Sequence, residues 1–292
     1  MSNSKILVTG APGNVGSEVV YGLQRLGVPF RVGAYDIESA QKTFGAETDI
    51  VPFNFLNPQT YENAFTGIEH LFLVRPPALS NVARDIAPAI RVAVEMGVKH
   101  IVFLSIQGVE NNRVVPHYKI EQAILETGID YTFLRASFFM QNLATTHRAE
   151  IRDEHKIIVP VGIAKTSFID VRDIAAVAVL ALTDDAHRNQ KYTLTGAEAL
   201  DYYQVAEKLS HALSQPITYV RPSVNTFLRR QKKQGQKLGY SLVVTALYTI
   251  TRLGNAKTVT DDVLRLLGRA PISFDQFAHD YASSWRPTPI LV

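Results

Sequence analysis

The sequence predicts an α/β fold, a doubly wound parallel sheet with a smaller C-terminal α+β lobe. Two observations predict the sheet: short apolar runs suited to buried strands, and amphipathic helical segments that alternate with them. This alternation is typical of parallel strands joined by crossover helices. A third observation predicts the lobe, because the alternation becomes irregular after about Phe138. We therefore expect a Rossmann domain over residues 1–137 and a substrate-side lobe over 138–292, with segments of the latter returning to the sheet.

The elements of the first half follow from apolar spacing. Runs of apolar residues predict strands at 5–9, 30–35, 50–53, 70–74, 100–105 and 131–135. Apolar residues at helical spacing predict helices at 15–26, 82–96 and 116–126. Ligands of open α/β sheets bind at the carboxyl ends of the strands, so we expect the functional site there.

The second half mixes shorter strands with helices. Strands are predicted at 157–160, 191–195 and 217–220, and helices at 171–182, 202–213 and 274–284. This mixture is what predicts an α+β lobe. The segment contains no internal repeat and no low-complexity stretch.

Composition excludes several classes of protein. The chain has no cysteine, which excludes disulfides, thiolate metal sites and cysteine nucleophiles. The eight histidines show no metal-ligand spacing, so no metal is predicted. The N-terminus lacks the apolar run of a signal peptide. The longest uncharged apolar stretch, 238–251, is shorter than the ~20 residues that span a bilayer. These features predict a cytoplasmic protein with no membrane partner.

A glycine-rich turn between the first strand and the first helix is the sharpest motif. Gly10, Gly13 and Gly16 recur every third residue. In this context the first glycine permits a tight turn, the second lets backbone approach a pyrophosphate, and the third lets the helix pack on the strand. The alternative is a plain strand–helix turn. The motif and the helix N-terminus predict that a dinucleotide binds at Thr9, Gly10, Ala11, Pro12, Gly13, Asn14, Val15 and Gly16.

Asp36 follows the second strand, 20 residues after Gly16. A carboxylate there is placed to accept hydrogen bonds from an adenosine ribose, and it repels a 2′-phosphate. The cofactor is therefore NAD or NADP, with a preference for NAD. The alternative role of Asp36 is the N-cap of the following helix.

With these motifs the chain resembles the NmrA-like branch of the atypical short-chain dehydrogenases/reductases. The resemblance runs over six segments in order: TGAPGNVG, HIVFLSIQG, HYKIEQAILETGIDYTFLRASFFMQN, FIDVRDIAAVAVLAL, YTLTGAEALDYYQVAEKLSHAL and APISFDQFAHDYASSW. It implies an NAD(P)H-dependent reductase of a small, aromatic acceptor of quinone or azo type. The family also contains cofactor-binding redox sensors that catalyse nothing, and this second hypothesis stays open.

The chain departs from the usual short-chain dehydrogenase pattern at the catalytic pair. With Glu121 seven residues before Gly128, the lysine position falls on His117 and the tyrosine position on Arg113, so the Tyr-x-x-x-Lys pair is absent. His117 becomes the candidate proton donor, because an imidazole titrates near neutral pH. The alternative is a helix-start residue that contacts the ribose or caps the turn.

Other site candidates lie where strands end. Arg75 and Pro76 form a loop after the fourth strand that holds the cofactor or is only a rigid turn. Ser105 either lines the nicotinamide side of the site or hydrogen-bonds backbone. The resemblance places Phe138 and Asn142 in a substrate pocket for a flat aromatic ligand.

The segment 221–237 carries six basic residues and no acid. It is either a partner surface or, more commonly, a solvated helix face. The latter interpretation and the net charge of only +3 argue against a nucleic-acid partner. The expected partner is the small-molecule acceptor, and a homodimer stays open.

Overall fold

The computed structural model describes residues 5–236, 238–252, 254 and 256–286. The chain divides into two compact units. The N-terminal unit comprises Met1–Ala136 and Val171–Leu194, and the C-terminal unit comprises Ser137–Asp170 and Thr195–Val292.

The strands of the described residues fall into two sheets. In chain order they are β1 Ile6–Thr9, β2 Phe30–Ala34, β3 Ile50–Pro52, β4 His70–Leu73, β5 His100–Ile106, β6 Asp130–Ala136, β7 Lys156–Ile158, β8 Gln190–Leu194 and β9 Thr218–Val220. The N-terminal unit holds a sheet in the order β3-β2-β1-β4-β5-β6-β8, parallel throughout. This confirms the predicted doubly wound parallel sheet. The strand order reverses between β1 and β4, which is where ligands bind in such sheets.

The six predicted helices are present with two corrections, and the structure adds helices that the sequence did not predict. They are α1 Asn14–Arg25, α2 Ile37–Phe44, α3 Tyr61–Phe65, α4 Val82–Asp85, α5 Ala87–Glu95, α6 Pro116–Leu125, α7 Gln141–Ala144, α8 Arg148–Glu154, α9 Val171–Thr183, α10 Tyr202–Leu213, α11 Val224–Lys233, α12 Leu238–Arg252, α13 Asp262–Leu267 and α14 Phe274–Asp280. The helix predicted at 82–96 is interrupted at Ile86, because Pro88 has no N–H to donate to the Arg84 carbonyl. The helix predicted at 274–284 ends at Asp280, and a short 3-10 turn follows at Ala282–Trp285.

The core of the N-terminal unit lies on both faces of its sheet. Leu7, Phe72, Phe103 and Phe133 are fully buried on neighbouring strands. Each such side chain contributes about 1.5–3 kcal/mol by leaving water. On one face α1 packs against α9. A Cβ built at Gly22 of α1 would lie 2.8 Å from Val179 Cγ2, so the glycine allows this close approach.

The C-terminal unit is α+β, as predicted, with β7 and β9 paired in parallel. Its core gathers aromatic side chains of α10, α14 and the 3-10 turn, and Trp285 Nε1 donates to the Leu143 carbonyl at 2.9 Å. Asp201 and Gln204 form a capping box that fixes the start of α10. None of the described helices combines the length and apolar character needed to cross a membrane.

Candidate functional site

The glycine-rich turn joins β1 to α1 at the switch point of the sheet. Gly10 has a φ of +75°, and a Cβ there would lie 2.6 Å from the Cβ of Val74. The Gly13 amide donates to the Gly10 carbonyl at 2.9 Å and closes the turn. Position 10 therefore requires glycine both for its left-handed backbone and for lack of space.

Two further glycines are required by the turn itself. A Cβ on Gly13 would lie 2.6 Å from the Gly10 carbonyl oxygen. A Cβ on Gly16 would lie 2.5 Å from the same oxygen and 2.8 Å from the Ala11 nitrogen. The sequence predicted that Gly16 allows the helix to pack on the strand. In the structure, a side chain at position 16 would instead collide with the backbone of the turn.

The N-terminus of α1 is open to an anion. Within the part of the chain that the structure describes, no side chain caps it, and its own first turn carries no acidic residue. The amides of Asn14, Val15 and Gly16 precede the first intrahelical acceptor, so the helix geometry leaves them free to donate outward. Gly13 and Asn14 are exposed at this point. The turn thus offers converging N–H groups and the positive end of a helix dipole.

Thr9 ties the turn to the adjacent strand. Its hydroxyl donates to the Phe72 carbonyl at 2.9 Å and accepts from the Val74 amide at 3.0 Å. The side chain is buried. Thr9 therefore fixes the end of β4 against the glycine-rich turn, which brings Arg75 to the same edge of the sheet.

Asp36 caps α2. Its carboxylate accepts from the Ser39 amide at 3.0 Å, which is the alternative role that the sequence left open. The residue is exposed, and its second oxygen has no partner among the described residues. The cap therefore leaves this oxygen available to a ligand.

The loop after β4 is closed by Arg75. Its guanidinium donates to the carbonyls of Pro76, Pro77 and Leu79 at 2.9–3.0 Å. Its buried Nε has no hydrogen-bond partner within the described chain, and burial lowers its pKa. Arg75 thus stabilises this loop through three hydrogen bonds, and its Nε–H remains as a further donor.

His117 lies in the first turn of α6, with its ring stacked on Phe103 at 6.0 Å between centroids. Burial, and secondly the charge of Arg75, lower the pKa of His117 to about 3. The imidazole is therefore neutral near pH 7, and the expectation that it titrates there is wrong, because it is desolvated beside a cation. Neither ring nitrogen has a hydrogen-bond partner among the described residues, so both are available to a ligand.

The lowered pKa of His117 predicts a pH effect on stability. The unfolded chain binds a proton at this residue below about pH 6.5, whereas the folded chain does so only near pH 3. The free energy of unfolding should therefore decrease as pH falls from about 7 to about 4.5, by up to about 1.4 kcal/mol per pH unit from this group. His117→Gln should make the slope shallower in urea titrations.

The matched control for this pH effect is His279→Gln, at a side chain that is 85% exposed. His279→Gln should keep the slope of the parent protein. A slope that is unchanged by His117→Gln would contradict the burial argument. The buried His100, whose pKa is lowered to about 4 mainly by desolvation, contributes in the same direction to all three proteins.

Ser105 belongs to a buried ionic network at the ends of β5 and β6. Its hydroxyl donates to Glu121 Oε1 at 2.6 Å, rather than to backbone. Arg135, the neighbour of Ser105 in register, makes a two-pronged contact with Glu121 at 2.7 and 3.1 Å. Arg135 also pairs with Glu110 at 3.2 Å. Because the Ser105 hydroxyl donates its hydrogen to Glu121 of α6, it can act toward a ligand only as a hydrogen-bond acceptor.

Sequence reasoning did not find this network. Glu121 sits one helical turn after His117, on the face of α6 that also buries Ile120 and Ile124. A carboxylate among apolar positions was the available signal, since a buried acid requires a partner. Its partner on β6, Arg135, was not identifiable from spacing.

The candidate substrate residues lie in the C-terminal unit. The half-buried ring of Phe138 stacks on Tyr248 at 6.4 Å between centroids. Asn142 is half-buried in α7, and its side-chain amide has no hydrogen-bond partner within the described chain. Tyr248 also hydrogen-bonds His147 Nε2 at 2.6 Å. The structure thus places Phe138 beside a buried polar pair that the sequence did not predict.

The basic segment 221–237 is mostly the exposed face of α11. Phe227 faces the core, and Arg230 pairs with Glu154. Arg229, Lys232 and Lys233 are exposed, and Lys237 lies outside the described residues. Of the two interpretations of this segment, the arrangement of α11 is that of a solvated helix face.

Comparison with known proteins agrees with this fold. The model of the NmrA-like family matches residues 2–266. The NAD(P)H azoreductase of Xenophilus azovorans is 33% identical over 284 residues, covering 96% of this chain and 99% of that protein. The uncharacterized oxidoreductase YesF of Bacillus subtilis is 32% identical, covering 98% of each chain.

Solved structures of similar fold include two enzymes with bound cofactor. The NADPH-dependent quinone oxidoreductase QOR2 of Escherichia coli, complexed with NADPH, has a TM-score of 0.84 at 21% identity, over 94% of this chain and 99% of that one. The Citrobacter triphenylmethane reductase, complexed with NADP(H), has a TM-score of 0.82 at 21% identity, over 95% of this chain and 99% of that one.

Proposed function

This chain belongs to the NmrA-like family, and we propose that it is an NAD(P)H-dependent oxidoreductase that passes hydride to a small, aromatic acceptor of quinone or azo type. The observation that carries the proposal is the uncapped, acid-free N-terminus of α1 behind the glycine-rich turn. The names of the azoreductase relative and of the quinone oxidoreductase with the same fold support the reaction class.

The turn fits a nicotinamide dinucleotide. A Cβ on Gly13 or Gly16 would lie 2.6 or 2.5 Å from the Gly10 carbonyl oxygen, so only glycine at both positions keeps the turn in the shape that presents its amides. The amides of residues 14–16 would hold the pyrophosphate, with Ala11, Pro12 and Val15 shaping the surface around it. Arg75 adds a buried Nε–H donor at the neighbouring strand end that is unpaired within the described residues.

Asp36 favours NAD in this proposal. Its free carboxylate oxygen is placed to accept from an adenosine ribose hydroxyl, and its charge opposes a 2′-phosphate. Arg31 does not offset this charge for a 2′-phosphate, because its guanidinium is bonded to Asp49 and to the carbonyls of residues 63, 64 and 66. Paired calorimetric titrations with NADH and NADPH measure the preference.

The bound cofactor supplies the hydride, and the protein supplies position and charge. The Tyr-x-x-x-Lys pair is replaced by Arg113 and His117, so we propose that no tyrosine donates the proton. The neutral imidazole of His117 donates a hydrogen bond to an acceptor oxygen or nitrogen, and the nearby positive charge of Arg75 stabilises the negative charge that develops there. Water provides the proton. Ser105 borders the nicotinamide from the end of β5.

Phe138 and Asn142 are proposed to meet the acceptor. A half-buried phenyl ring stacked on Tyr248 offers a rigid aromatic surface to a flat ligand. The side-chain amide of Asn142, which has no partner among the described residues, offers a donor and an acceptor beside it.

Turnover tests the proposal directly. Oxidation of NADH and NADPH is followed with menadione and with an azo dye. We expect turnover, and we expect His117→Ala to lower kcat by about 100-fold with cofactor affinity unchanged, because one donor to the developing charge is lost. His279→Ala, at an exposed side chain, should retain the parent rate. An unchanged kcat in His117→Ala would contradict the role of the imidazole.

A redox sensor without catalysis is the second candidate. The missing catalytic tyrosine favours it. Tight binding of either nucleotide with no turnover on any acceptor would select the sensor, whereas turnover excludes it. Absence of nucleotide binding would reject both functions.

A further inference from the structure

A basic groove lies on the C-terminal unit, away from the glycine-rich turn in sequence. It has a volume of about 490 Å³. Three segments line it: the loop after β7, the residue that follows β9, and the end of α12 with the residues beyond it. Four cationic side chains line this groove: Lys165, Arg221, Arg252 and Lys257.

The charge of the basic groove is uncompensated. Among the described residues that line it there is no acidic side chain. None of its four cations forms an ion pair within the described residues, whereas Arg230 of the same unit pairs with Glu154 and Lys208 with Asp275. Four like charges around one concavity repel each other, and a bound anion relieves this repulsion.

The loop that carries Lys165 is fixed by Tyr219 of β9. The Tyr219 hydroxyl donates to the Val159 carbonyl at 2.9 Å and accepts from the Gly162 amide at 3.1 Å. Tyr219 of β9 thus holds the loop, and Arg221, one of the four cations, directly follows the same strand. The Nε of Arg252 lies 4.0 Å from the position of a Cβ on Gly162, against the backbone of the loop.

The segment that carries Lys257 is also anchored. The carbonyl of Ala256 accepts from the amide and the hydroxyl of Ser167, at 2.8 and 3.1 Å. The cations of the basic groove thus stand on backbone that hydrogen bonds hold in place, which reduces the entropy lost when a ligand binds.

The groove also offers an apolar surface. Ile163, between the cationic segments, is 71% exposed, whereas Val161 of the same loop is fully buried. An exposed isoleucine among cations favours a ligand with both apolar and anionic parts.

We propose that the basic groove binds a small organic anion that carries two or more negative charges as phosphate, sulfonate or carboxylate groups. Two arginines supply planar donors to the oxygens of such groups, and two lysines add point charges. The anion is either the charged end of the acceptor substrate or a separate ligand. The binding does not depend on the proposed reductase activity.

Calorimetry tests the anion site with naphthalene disulfonate and inorganic pyrophosphate, titrated into protein saturated with NADH, the cofactor that Asp36 favours. We expect binding that weakens as salt is added. The double variant Arg221→Gln/Arg252→Gln should bind at least about tenfold more weakly, because two charge-assisted contacts are lost. The matched control Arg229→Gln/Lys233→Gln changes two exposed cations of α11 and should bind like the parent.

Several results would reject the proposed anion site. Equal affinity in the groove and control variants, or no binding of either probe at millimolar concentration, rejects it. If an oligonucleotide binds more tightly than either probe, and if the α11 control variant weakens that binding, the basic surface would be assigned to nucleic acid instead. Thermal unfolding of each variant verifies that it is folded, and a groove variant that fails to fold is replaced by the single variant Lys257→Gln.

Kinetics separates the two sources of the anion. If the groove holds the charged end of the acceptor, the groove variant should raise KM about tenfold for a sulfonated azo dye and leave KM for menadione unchanged. If the anion is a separate ligand, both KM values stay unchanged while disulfonate affinity is lost. Absence of turnover on every acceptor rejects the proposed function and leaves the calorimetric result standing.

Discussion

Gly16→Ala is expected to weaken the binding of NADH and NADPH by about 100-fold, the equivalent of losing two charge-assisted hydrogen bonds. The new methyl group would lie 2.5 Å from the oxygen and 2.7 Å from the carbon of the Gly10 carbonyl, and 2.8 Å from the Ala11 nitrogen. Favourable carbon contacts lie at ~3.5–4.0 Å. All three atoms are backbone, so relief requires movement of the turn that presents the amides. Calorimetric titration measures the loss.

Gly239→Ala is the matched control for this glycine effect. Gly239 is exposed in α12, and among the described residues a Cβ there meets no atom within 4 Å. The substitution should leave nucleotide affinity unchanged and increase helix stability by up to about 1 kcal/mol. Parent-like affinity in Gly16→Ala would show that the turn does not hold the diphosphate. Circular dichroism separates a binding defect from unfolding.

Glu121→Ala is expected to lower the free energy of unfolding by about 3–5 kcal/mol. The Glu121 side chain is 2% exposed and that of Arg135 is 14% exposed, so removal of the carboxylate leaves a largely desolvated guanidinium whose remaining ionic partner is the half-exposed Glu110. The hydroxyl of Ser105 loses its acceptor as well. Urea unfolding, monitored by far-UV circular dichroism, measures the change.

An exposed ion pair provides the comparison. Asp153 pairs with Arg152 and is 55% exposed, so Asp153→Ala should change stability by only about 0–1 kcal/mol. Replacing both partners of the buried pair, as in Glu121→Leu/Arg135→Leu, should recover much of the loss, because no buried charge is then left unpaired. If Glu121→Ala costs no more than Asp153→Ala, the Glu121–Arg135 pair contributes little to stability.

Local spacing made most of the fold predictable. Alternating strands and helices, and the turn of Gly10, Gly13 and Gly16, are patterns within about 30 residues, where the period of apolar side chains reports the element directly. The interruption of the 82–96 helix was also visible in Pro88. It was missed because apolar periodicity continues through Ile86, while the missing N–H breaks the helix.

Chemical properties of the site were less predictable, because they depend on neighbours that are remote in sequence. His117 was expected to titrate near neutral pH, but Phe103 and Arg75 make its environment desolvated and cationic. Asp36 fitted two roles equally well in the sequence, and only the distance to the Ser39 amide identified the cap.

The sequence by itself determined the order of the elements and the position of the glycine-rich turn, since backbone preference and apolar period act over a few residues. The tertiary structure decided which charges are buried, which are paired and which stand together. Glu121 found Arg135 on another element, and the four cations of the basic groove come from positions 165 to 257. Desolvation and Coulomb energy depend on distance in space, and chain folding sets that distance independently of spacing along the sequence.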